Sequence, residues 1–502
     1  MPSAVKTNIA ANFIGRIWAS LMTLLFVPLY IQFLGVEAYG LVGFYASLKA
    51  VSSIFDFGLS TTLNREVARY TGSLEGQGFV SDTIRTLEVV YWLTAMVIFL
   101  FVAMGSPLIA GKWIRASSFS PQMLTWVVVI MGGVLALQFP FALYMGGLRG
   151  LQKHVHLNGI HVFAGTLRSV GTVIVLWKIS PTIHTFFLCQ ALVALVETVL
   201  TMACFWRLWP GRFLKASFRL ENLRSIWKFA AGITMIGVTG IALSQMDRLI
   251  LIKTIPLETF GLYSIALAAA TGIQSVIVYP ISNAVFPRFS QLITDGGGRR
   301  LAAFYHKSSQ LVSLLILPAG VTIIVFSREI LELWIRNQEI ANGAGTMLSI
   351  LMAAYAINSI GIIPQMMQLA SGWTKLTATY NALAVIALVP AVAWAGSSYG
   401  ARGAATVYLF LFISYLGVVV PLMHRRILKG EFRRWLMEDV GAGMFICVIS
   451  LPFMYFIKSH VSWPPLLLIG MFFVSLFCAT AILSGRIRKG LFEILNRAFR
   501  NH

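Results

Sequence analysis

Apolar stretches of about 20 residues follow one another along almost the whole chain, separated by Gly, Pro or charged residues. The hydrocarbon core of a bilayer is about 30 Å thick, so a helix needs roughly 20 apolar residues to cross it. Fourteen stretches meet this requirement, at 8–34, 37–62, 83–107, 121–145, 157–179, 182–206, 226–251, 257–283, 301–326, 342–369, 376–396, 399–423, 439–457 and 463–484. The pattern predicts an all-α, polytopic membrane protein with 14 transmembrane helices and no large domain outside the membrane.

The composition agrees with a membrane protein but adds an unexpected charge. Hydrophobic residues make up 58% of the 502 residues, charged residues only 11%, and the mean hydropathy is +0.79. These values exclude a soluble enzyme and a disordered scaffold. The chain is nevertheless basic, with 39 Lys and Arg against 18 Asp and Glu, and a formal net charge of +21. In a soluble protein such a charge would suggest a nucleic-acid partner.

The position of the cations relative to the predicted helices accounts for most of this charge. An even number of spans places both termini on one face, where 27 Lys and Arg residues then lie, against 8 on the other face. Cytoplasmic loops of membrane proteins are enriched in Lys and Arg, so this bias predicts that both termini are cytoplasmic. We expect the cytoplasmic cations to contact anionic membrane lipids, and we expect no nucleic-acid partner.

A short sequence match suggests an internal repeat. Glu-Ala-Tyr-Gly-Leu at 37–41 follows the first span, and Glu-Thr-Phe-Gly-Leu at 258–262 follows the seventh, at an offset of 221 residues. Transporters are often built from duplicated helix bundles. The predicted parts are an N-terminal lobe of six spans at 1–206, a basic cytoplasmic linker at 207–225, a C-terminal lobe of six spans at 226–423, two further helices at 424–484, and a basic amphipathic cytoplasmic tail at 485–502.

Seven ionisable side chains remain inside the predicted spans. They are the cations Arg16, Lys49, Arg168 and Arg248 and the acids Asp56, Glu197 and Asp247. An ionisable group costs at least about 2.5–3.5 kcal/mol at the centre of a membrane helix, so such groups normally face a protein interior or a water-filled cavity. These residues are therefore candidates for a functional site.

Helical spacing places some of these charges on polar stripes. Asn12 and Arg16 lie one turn apart in the first span, and Lys49, Ser53 and Asp56 share a narrow sector of the second. A continuous polar stripe favours a surface that contacts substrate. The alternative for Arg16 and Lys49 is a buried ion pair that only fixes helix packing.

Two further spans bring charges to similar depths. Arg168 in the fifth span and Glu197 in the sixth lie on adjacent antiparallel helices, within reach of an ion pair. Gln245 and Arg248 share a face near the outer end of the seventh span, and Asp247 points away from that face. The alternative for Arg248 is a guanidinium that reaches the membrane surface. No metal site and no cofactor are predicted, because the four cysteines and the histidines lack the spacing of metal ligands.

Short motifs along the chain have the spacing of a known family. They are Pro28, Leu34-Gly35, Tyr39-Gly40-Leu41, Asp56-Phe57-Gly58-Leu59, Arg65, Asp247-Arg248-Leu249-Ile250-Leu251 and Gly261-Leu262-Tyr263. With the span count, they resemble the polysaccharide-biosynthesis, O-antigen flippase (Wzx-type) branch of the multidrug/oligosaccharidyl-lipid/polysaccharide exporter superfamily. Almost no buried charge occurs in spans eight to twelve, so the buried charges are distributed unequally between the two lobes. This inequality suggests that the first lobe makes most of the contacts with the substrate headgroup.

The resemblance implies a V-shaped, two-lobed transporter in the bacterial inner membrane. Its substrate would be an undecaprenyl-diphosphate-linked oligosaccharide, moved from the cytoplasmic to the periplasmic leaflet by alternating access for the synthesis of surface or exopolysaccharide. A polysaccharide polymerase and the chain-length machinery would be its partners. The resemblance implies charged residues in the central cavity, and Arg16, Lys49 and Asp56 occupy the corresponding first-lobe spans. Asp247 matches a recurrent acid of the family.

The hypothesis for the mechanism assigns Arg16, Lys49 and Arg168 to the diphosphate, because guanidinium and ammonium groups bind phosphate oxygens. Asp56, Glu197 and Asp247 are the candidates for proton or sodium coupling, and the membrane potential is an alternative energy source. A peptidoglycan lipid-intermediate flippase of the same superfamily remains the main alternative function. The cationic bias and the two extra helices disfavour a multidrug antiporter, and the short outer loops disfavour an enzyme.

Overall fold

A computed structural model describes residues 3–70, 74–211, 214, 216–461 and 463–483, without the side chains of 3–14, 16, 74–75, 225–236 and 483. Its helices are α1 (Ser3–Leu34), α2 (Val36–Ser52), α3 (Leu59–Tyr70), α4 (Leu74–Leu108), α5 (Pro121–Gln138), α6 (Phe141–Gly150), α7 (His154–Thr166), α8 (Thr172–Lys178), α9 (Ile183–Leu208), α10 (Leu220–Thr254), α11 (Leu257–Thr294), α12 (Gly298–Val325), α13 (Ser327–Ile335), α14 (Gln338–Ala370), α15 (Thr374–Arg426), α16 (Phe432–Arg434), α17 (Ala442–His460) and α18 (Pro465–Leu483). No strand occurs in these ranges.

The helices confirm an all-α, polytopic membrane protein. Among the described residues, 12 helical segments are long and apolar enough to cross a membrane. One of them, α15, has 53 residues and contains Gly400 with a φ of 62°, so it consists of two helices on either side of a kink. The 35-residue α10 covers the predicted seventh span. With the second half of α15 and with α10, the structure accounts for the 14 predicted spans.

The predicted second span, 37–62, is not one continuous helix. After α2 the chain forms a 3₁₀ turn at Ser53–Asp56. Phe57 and Gly58 then adopt positive φ angles of 47° and 70°, and α3 begins immediately after them. A positive φ cannot continue a right-handed helix. The polar stripe predicted from Lys49 to Asp56 is therefore interrupted beyond Ser53.

By internal contacts the chain divides into a first unit, residues 1–261, and a second unit, residues 262–502. Helix α10 belongs to the first unit. Its carbonyl groups at Leu249 and Thr254 accept hydrogen bonds from Trp113 Nε1 and Arg115 Nη1, each at 3.2 Å. The linker predicted at 207–225 divides the chain by its sequence repeat, whereas these units divide it by internal contacts. The two six-span lobes therefore stay a prediction.

The 216–219 connection that leads into α10 is fixed to α4. Asp82 accepts a hydrogen bond from the backbone N–H of Ser217 at 2.7 Å, and its other oxygen lies 2.7 Å from Arg219 Nε. Asn222, at the start of α10, donates to Thr83 Oγ1 at 3.0 Å. Part of the predicted basic linker is therefore bonded to the helix beside it.

The two turns of the sequence repeat pack against each other within the first unit. A Cβ atom added to Gly261 would lie 2.2 Å from the carbonyl oxygen of Val36. One added to Gly40 would lie 2.7 Å from the carbonyl oxygen of Leu257. Only a residue without a side chain allows the backbones of α2 and α11 to approach this closely. The matching glycines thus occupy one helix crossing.

We expect Gly261→Ala to destabilise the protein by about 1–3 kcal/mol, because the added methyl group must displace backbone rather than a flexible side chain. Gly240→Ala is the matched control, since nothing lies within 4 Å of a Cβ at that helical position. The control should unfold at or above the wild-type temperature. Thermal unfolding of the purified protein measures both, and equal midpoints for the two variants would contradict the tight crossing.

In the second unit, α17 and α18 pack against the end of α12. Val325 and Phe326 form an apolar cluster with Met454 of α17 and with three residues of α18, namely Leu468, Phe472 and Leu476. Beside the cluster, Lys458 Nζ lies 2.8 Å from Glu329 Oε1 and donates to the carbonyl of Val325 at 2.7 Å. The two C-terminal spans are therefore an integrated part of the second unit.

Candidate functional site

A buried acid on α9 contacts polar side chains of α5, of α7 and of the turn that follows α7, all in the first unit. Glu197 retains only 4% of its accessible surface. Its Oε2 lies 2.7 Å from Arg168 Nη2, and its Oε1 lies 3.4 Å from His161 Nδ1 of α7. Gln138 Nε2, at the end of α5, donates to Oε2 at 3.5 Å. The structure confirms the predicted Arg168–Glu197 pair and adds Gln138 to it.

The backbone around Arg168 departs from regular helix geometry. Residues Leu167–Gly171 form a π-helical turn between α7 and α8. Such turns insert an extra residue into a helix and occur frequently at functional sites. The carbonyl oxygen of Arg168 accepts a hydrogen bond from Tyr30 Oη of α1 at 3.3 Å. The π turn and the tyrosine together set the direction in which the guanidinium leaves its helix.

Lys49 of α2 lies on the same side of the first unit as this pair. Its side chain is exposed yet interacts electrostatically with both Arg168 and Glu197. One turn earlier, Tyr45 contacts Phe187 of α9 edge to face, with ring centroids 5.4 Å apart. This contact directs the Lys49 face of α2 toward the other helices of the unit rather than toward lipid.

Lys49 has no counter-ion of its own among the residues that the structure describes. Across the described residues, its ammonium group forms no hydrogen bond and no ion pair within 4 Å. Lys49 follows the first residue of α2 by thirteen positions, and Glu197 follows the first residue of α9 by fourteen. A helix rises 1.5 Å per residue, so each lies about 20 Å along its helix from the first residue, and the two are at similar depth if both helices begin at the same face. Two cations and one acid therefore give this region an excess positive charge.

Asp56 and Ser53 take up a different position, at the break between α2 and α3. Asp56 accepts hydrogen bonds from Ser60 Oγ at 2.9 Å, from the Ser60 backbone N–H at 3.4 Å, and from Tyr91 Oη. A carboxylate bonded to a backbone N–H in the first turn of a helix is a capping arrangement. The exposed Ser53 hydroxyl donates to the carbonyl of Ala50 at 2.6 Å. The structure does not join either residue to the Glu197 cluster.

The polar residues of α10 form a separate group. Arg248 Nη1 donates to Gln245 Oε1 at 3.1 Å, and the buried Arg248 Nε makes no hydrogen bond within the described part of the chain. Arg248 also interacts electrostatically with the buried Tyr39 of α2. Asp247 is 2% exposed. Because Arg248 bonds within the protein, the structure does not show it reaching the membrane surface.

Asn12 and Arg16 lie on α1, but their side chains are outside the described residues. The same is true of the whole predicted tail, 485–502. Their predicted roles therefore stay predictions.

Sequence reasoning missed three features of the site: the π turn, Tyr30 and Gln138. The π turn has no evident sequence signal, since Leu-Arg-Ser-Val-Gly is compatible with an α-helix. Gln138 did carry one, because it is a lone amide beside Pro140 in an apolar stretch. Sequence analysis also did not predict the second polar cluster, which lies in the second unit around His306, Glu431 and Asp439.

Comparisons with known proteins agree with this fold. The model of the family described as "Polysaccharide biosynthesis protein" matches residues 5–293, more than half of the chain. A protein of Shigella flexneri named "Putative O-antigen transporter" is 21% identical over 378 residues, which cover 74% of this chain and 86% of that protein.

Two solved structures share the fold at low sequence identity. The lipid II flippase MurJ in an inward closed conformation superposes with a TM-score of 0.72 and 13% identity, covering 96% of this chain and 99% of that chain. An inward-facing multidrug resistance transporter of the MATE family and MOP superfamily gives a TM-score of 0.65 and 12% identity, covering 84% and 94%. Both proteins are named as a flippase or a transporter, and their likeness to this chain is a likeness of fold. From the family match over residues 5–293, the chain belongs to the polysaccharide biosynthesis protein family of multi-pass membrane proteins.

Proposed function

We propose that the protein is a flippase in the bacterial inner membrane. It would translocate an undecaprenyl-diphosphate-linked oligosaccharide repeat unit from the cytoplasmic to the periplasmic leaflet, for the synthesis of surface or exopolysaccharide. The observation that carries the proposal is Lys49, whose ammonium group has no counter-ion within 4 Å among the described residues, beside an Arg168 that is already paired with Glu197. The family match and the named O-antigen transporter support this substrate class.

A diphosphate supplies the charge that this region lacks. Glu197 neutralises one cation and fixes Arg168 through Nη2 only. The remaining guanidinium N–H groups make no side-chain hydrogen bond within the described residues and can donate to phosphate oxygens, which a planar guanidinium binds through two parallel bonds. The Lys49 ammonium provides a second, compact charge. Arg16, one span away, is expected to contribute a third.

The glycan and the lipid tail require different surroundings. Thr172 and Gln190, whose side chains bond each other at 3.4 Å near Arg168, have the groups that hydrogen-bond sugar hydroxyls. The polyprenyl tail needs only the apolar surface that membrane helices expose. No covalent bond is made or broken, so transport requires only that both leaflets gain access to the cations in turn.

The membrane potential favours export in this direction. Moving one negative charge outward is favourable by about 2.3 kcal/mol for each 100 mV of an inside-negative potential. If the bound diphosphate cancels the charge of the site, the field acts instead on the empty cationic site and returns it inward. Asp56, Glu197 and Asp247 remain the proposed groups for ion coupling in the first unit, and the termini are proposed to be cytoplasmic.

Deleting the gene tests the function directly. We expect the deletion strain to lose its surface polysaccharide and to accumulate the lipid-linked repeat unit in the cytoplasmic leaflet, and we expect the wild-type gene to restore export. Leaflet position is measured with a membrane-impermeant reagent that modifies the glycan. Repeat units that still reach the periplasmic leaflet would contradict the proposal. Accumulation of a peptidoglycan precursor instead would support the alternative flippase of the same superfamily.

A further inference from the structure

A buried histidine of the second unit has a carboxylate on each ring nitrogen. His306 of α12 has a fully buried side chain. Its Nδ1 lies 2.5 Å from Asp439 Oδ2, and its Nε2 lies 2.9 Å from Glu431 Oε2. Gln310, one turn further along α12, donates from Nε2 to the other Asp439 oxygen at 2.9 Å. We call His306, Asp439 and Glu431 the histidine trio.

The hydrogen bonds of the histidine trio require an additional proton. A neutral imidazole has one N–H donor and one acceptor nitrogen, so it can donate to only one carboxylate. The second contact would then bring a lone pair against a carboxylate oxygen, which is repulsive and leaves a buried acceptor unsatisfied. Both contacts become favourable when the ring carries two N–H groups, or when one carboxylate is protonated. The geometry thus describes a site with a bound proton.

The three members of the trio differ in access to solvent. The Asp439 side chain is fully buried, whereas the Glu431 side chain keeps 29% of its surface. Asp439 lies in a π-helical stretch, Trp435–Gly441, that joins α16 to α17. Arg434 Nη1 lies 3.8 Å from Glu431 Oε2. Glu431 is therefore the member of the trio that solvent reaches most readily, near the face that the charge bias predicts to be cytoplasmic.

A neighbouring histidine, His424, has the hydrogen bonds that a neutral imidazole can make. His424 of α15 donates from Nδ1 to the carbonyl of Val420 at 2.8 Å, so its Nε2 can accept from Tyr305 Oη at 3.2 Å. The other charged and titratable groups around the trio are His424, Tyr305, Arg434 and the exposed Lys307, together with Glu438, which lies 3.1 Å from Arg434. The charged side chains that α13, α14, α17 and α18 carry within the described ranges lie toward the opposite end of α12.

We propose that the histidine trio is a proton-binding site whose imidazolium holds the 432–460 helical segment against α12, and whose deprotonation loosens that contact during the transport cycle. At the other end, α17 is held by the apolar cluster around Phe326 and by the Lys458–Glu329 pair. Loosening at the trio would therefore tilt α17 rather than detach it. The link to transport rests on the proposed function, whereas the bound proton does not.

Proton binding is tested on the purified full-length protein in detergent. We expect the thermal unfolding midpoint of the wild type to fall by several degrees between about pH 5 and about pH 9, because the two-carboxylate contact is lost with the proton. His306→Gln and Asp439→Asn should flatten this dependence. His424→Gln is the matched control, a buried histidine satisfied in its neutral form, and should retain the wild-type profile above about pH 7, where such a histidine no longer titrates.

The outcomes are distinct. Wild-type pH profiles in both His306→Gln and Asp439→Asn would overturn the proton site. If those two variants do not fold, Glu431→Gln, at the partly exposed edge of the trio, provides the same measurement and should reduce the pH dependence.

The link to transport is tested by surface polysaccharide in cells that express each variant as the sole copy. We expect Glu431→Gln to lower export at least about tenfold while the protein remains inserted, and export at the wild-type level would overturn the coupling. Wild-type export by Lys49→Ala, together with a flattened pH profile in His306→Gln, would contradict the proposed phosphate site and leave the proton site standing. The two proposals can therefore fail separately.

Discussion

Lys49→Ala is expected to lower polysaccharide export by about 10–100-fold without affecting folding. A charge-assisted hydrogen bond contributes about 1.5–3 kcal/mol, and each 1.4 kcal/mol corresponds to a factor of ten in affinity. The Lys49 ammonium bonds to no side chain among the described residues, so its removal leaves no buried partner unsatisfied. Surface polysaccharide per cell, normalised to the amount of inserted protein, is the measurement.

Two further variants complete this experiment. Lys49→Arg should retain much of the export, because it preserves the charge, whereas Lys307→Ala removes an exposed cation from another membrane helix and should leave export unchanged. Adding Arg16→Ala to Lys49→Ala is expected to deepen the loss. Normal export by the Lys49→Ala variant would show that the ammonium does not contact the substrate.

The fold was accessible from the sequence because membrane insertion imposes a simple requirement. A chain cannot place unpaired backbone groups in lipid, so apolar stretches of sufficient length must be helices. This holds for α9, whose 26 residues contain all but the first residue of the predicted sixth span. It fails in detail where the helix is interrupted inside the protein. The break at Phe57 and Gly58 lies in a stretch that composition alone does not distinguish from a continuous helix.

The site was only partly accessible for the same reason. Arg168 and Glu197 are conspicuous because charges in apolar spans are costly, and similar depth on adjacent helices suggested their pairing. The π turn at Leu167–Gly171 changes the direction of Arg168 and cannot be read from residue spacing. Asp56 shows the converse, since its identification as an acid within an apolar stretch did not reveal that its carboxylate caps α3.

The histidine trio was missed because its members are distant in sequence and lie near span ends. His306 and Asp439 are 133 residues apart. Near a span end, ionisable groups carry a smaller insertion cost, so neither residue stands out as an anomaly. Only the packing of the 432–460 segment on α12 brings them together.

Glu197→Gln is expected to destabilise the protein by about 1–3 kcal/mol, because it removes the charged partner of Arg168, whose side chain keeps 29% of its surface. Arg168 would then lie beside Lys49 and His161 with no acid to compensate them. Arg168→Gln should be destabilising as well, since it leaves the buried Glu197 carboxylate without its guanidinium. The unfolding midpoint of the purified protein reports both effects.

The double variant Glu197→Gln/Arg168→Gln separates packing from transport. Two neutral amides replace an ion pair that lies 2.7 Å apart, so the double variant should be more stable than the sum of the single changes predicts, with a coupling of about 0.5–3 kcal/mol. If Arg168 served only to neutralise Glu197, export would recover together with stability. We expect stability to recover and export to remain low, because the diphosphate then meets Lys49 alone. Restored export in the double variant would reduce Arg168 to a packing role.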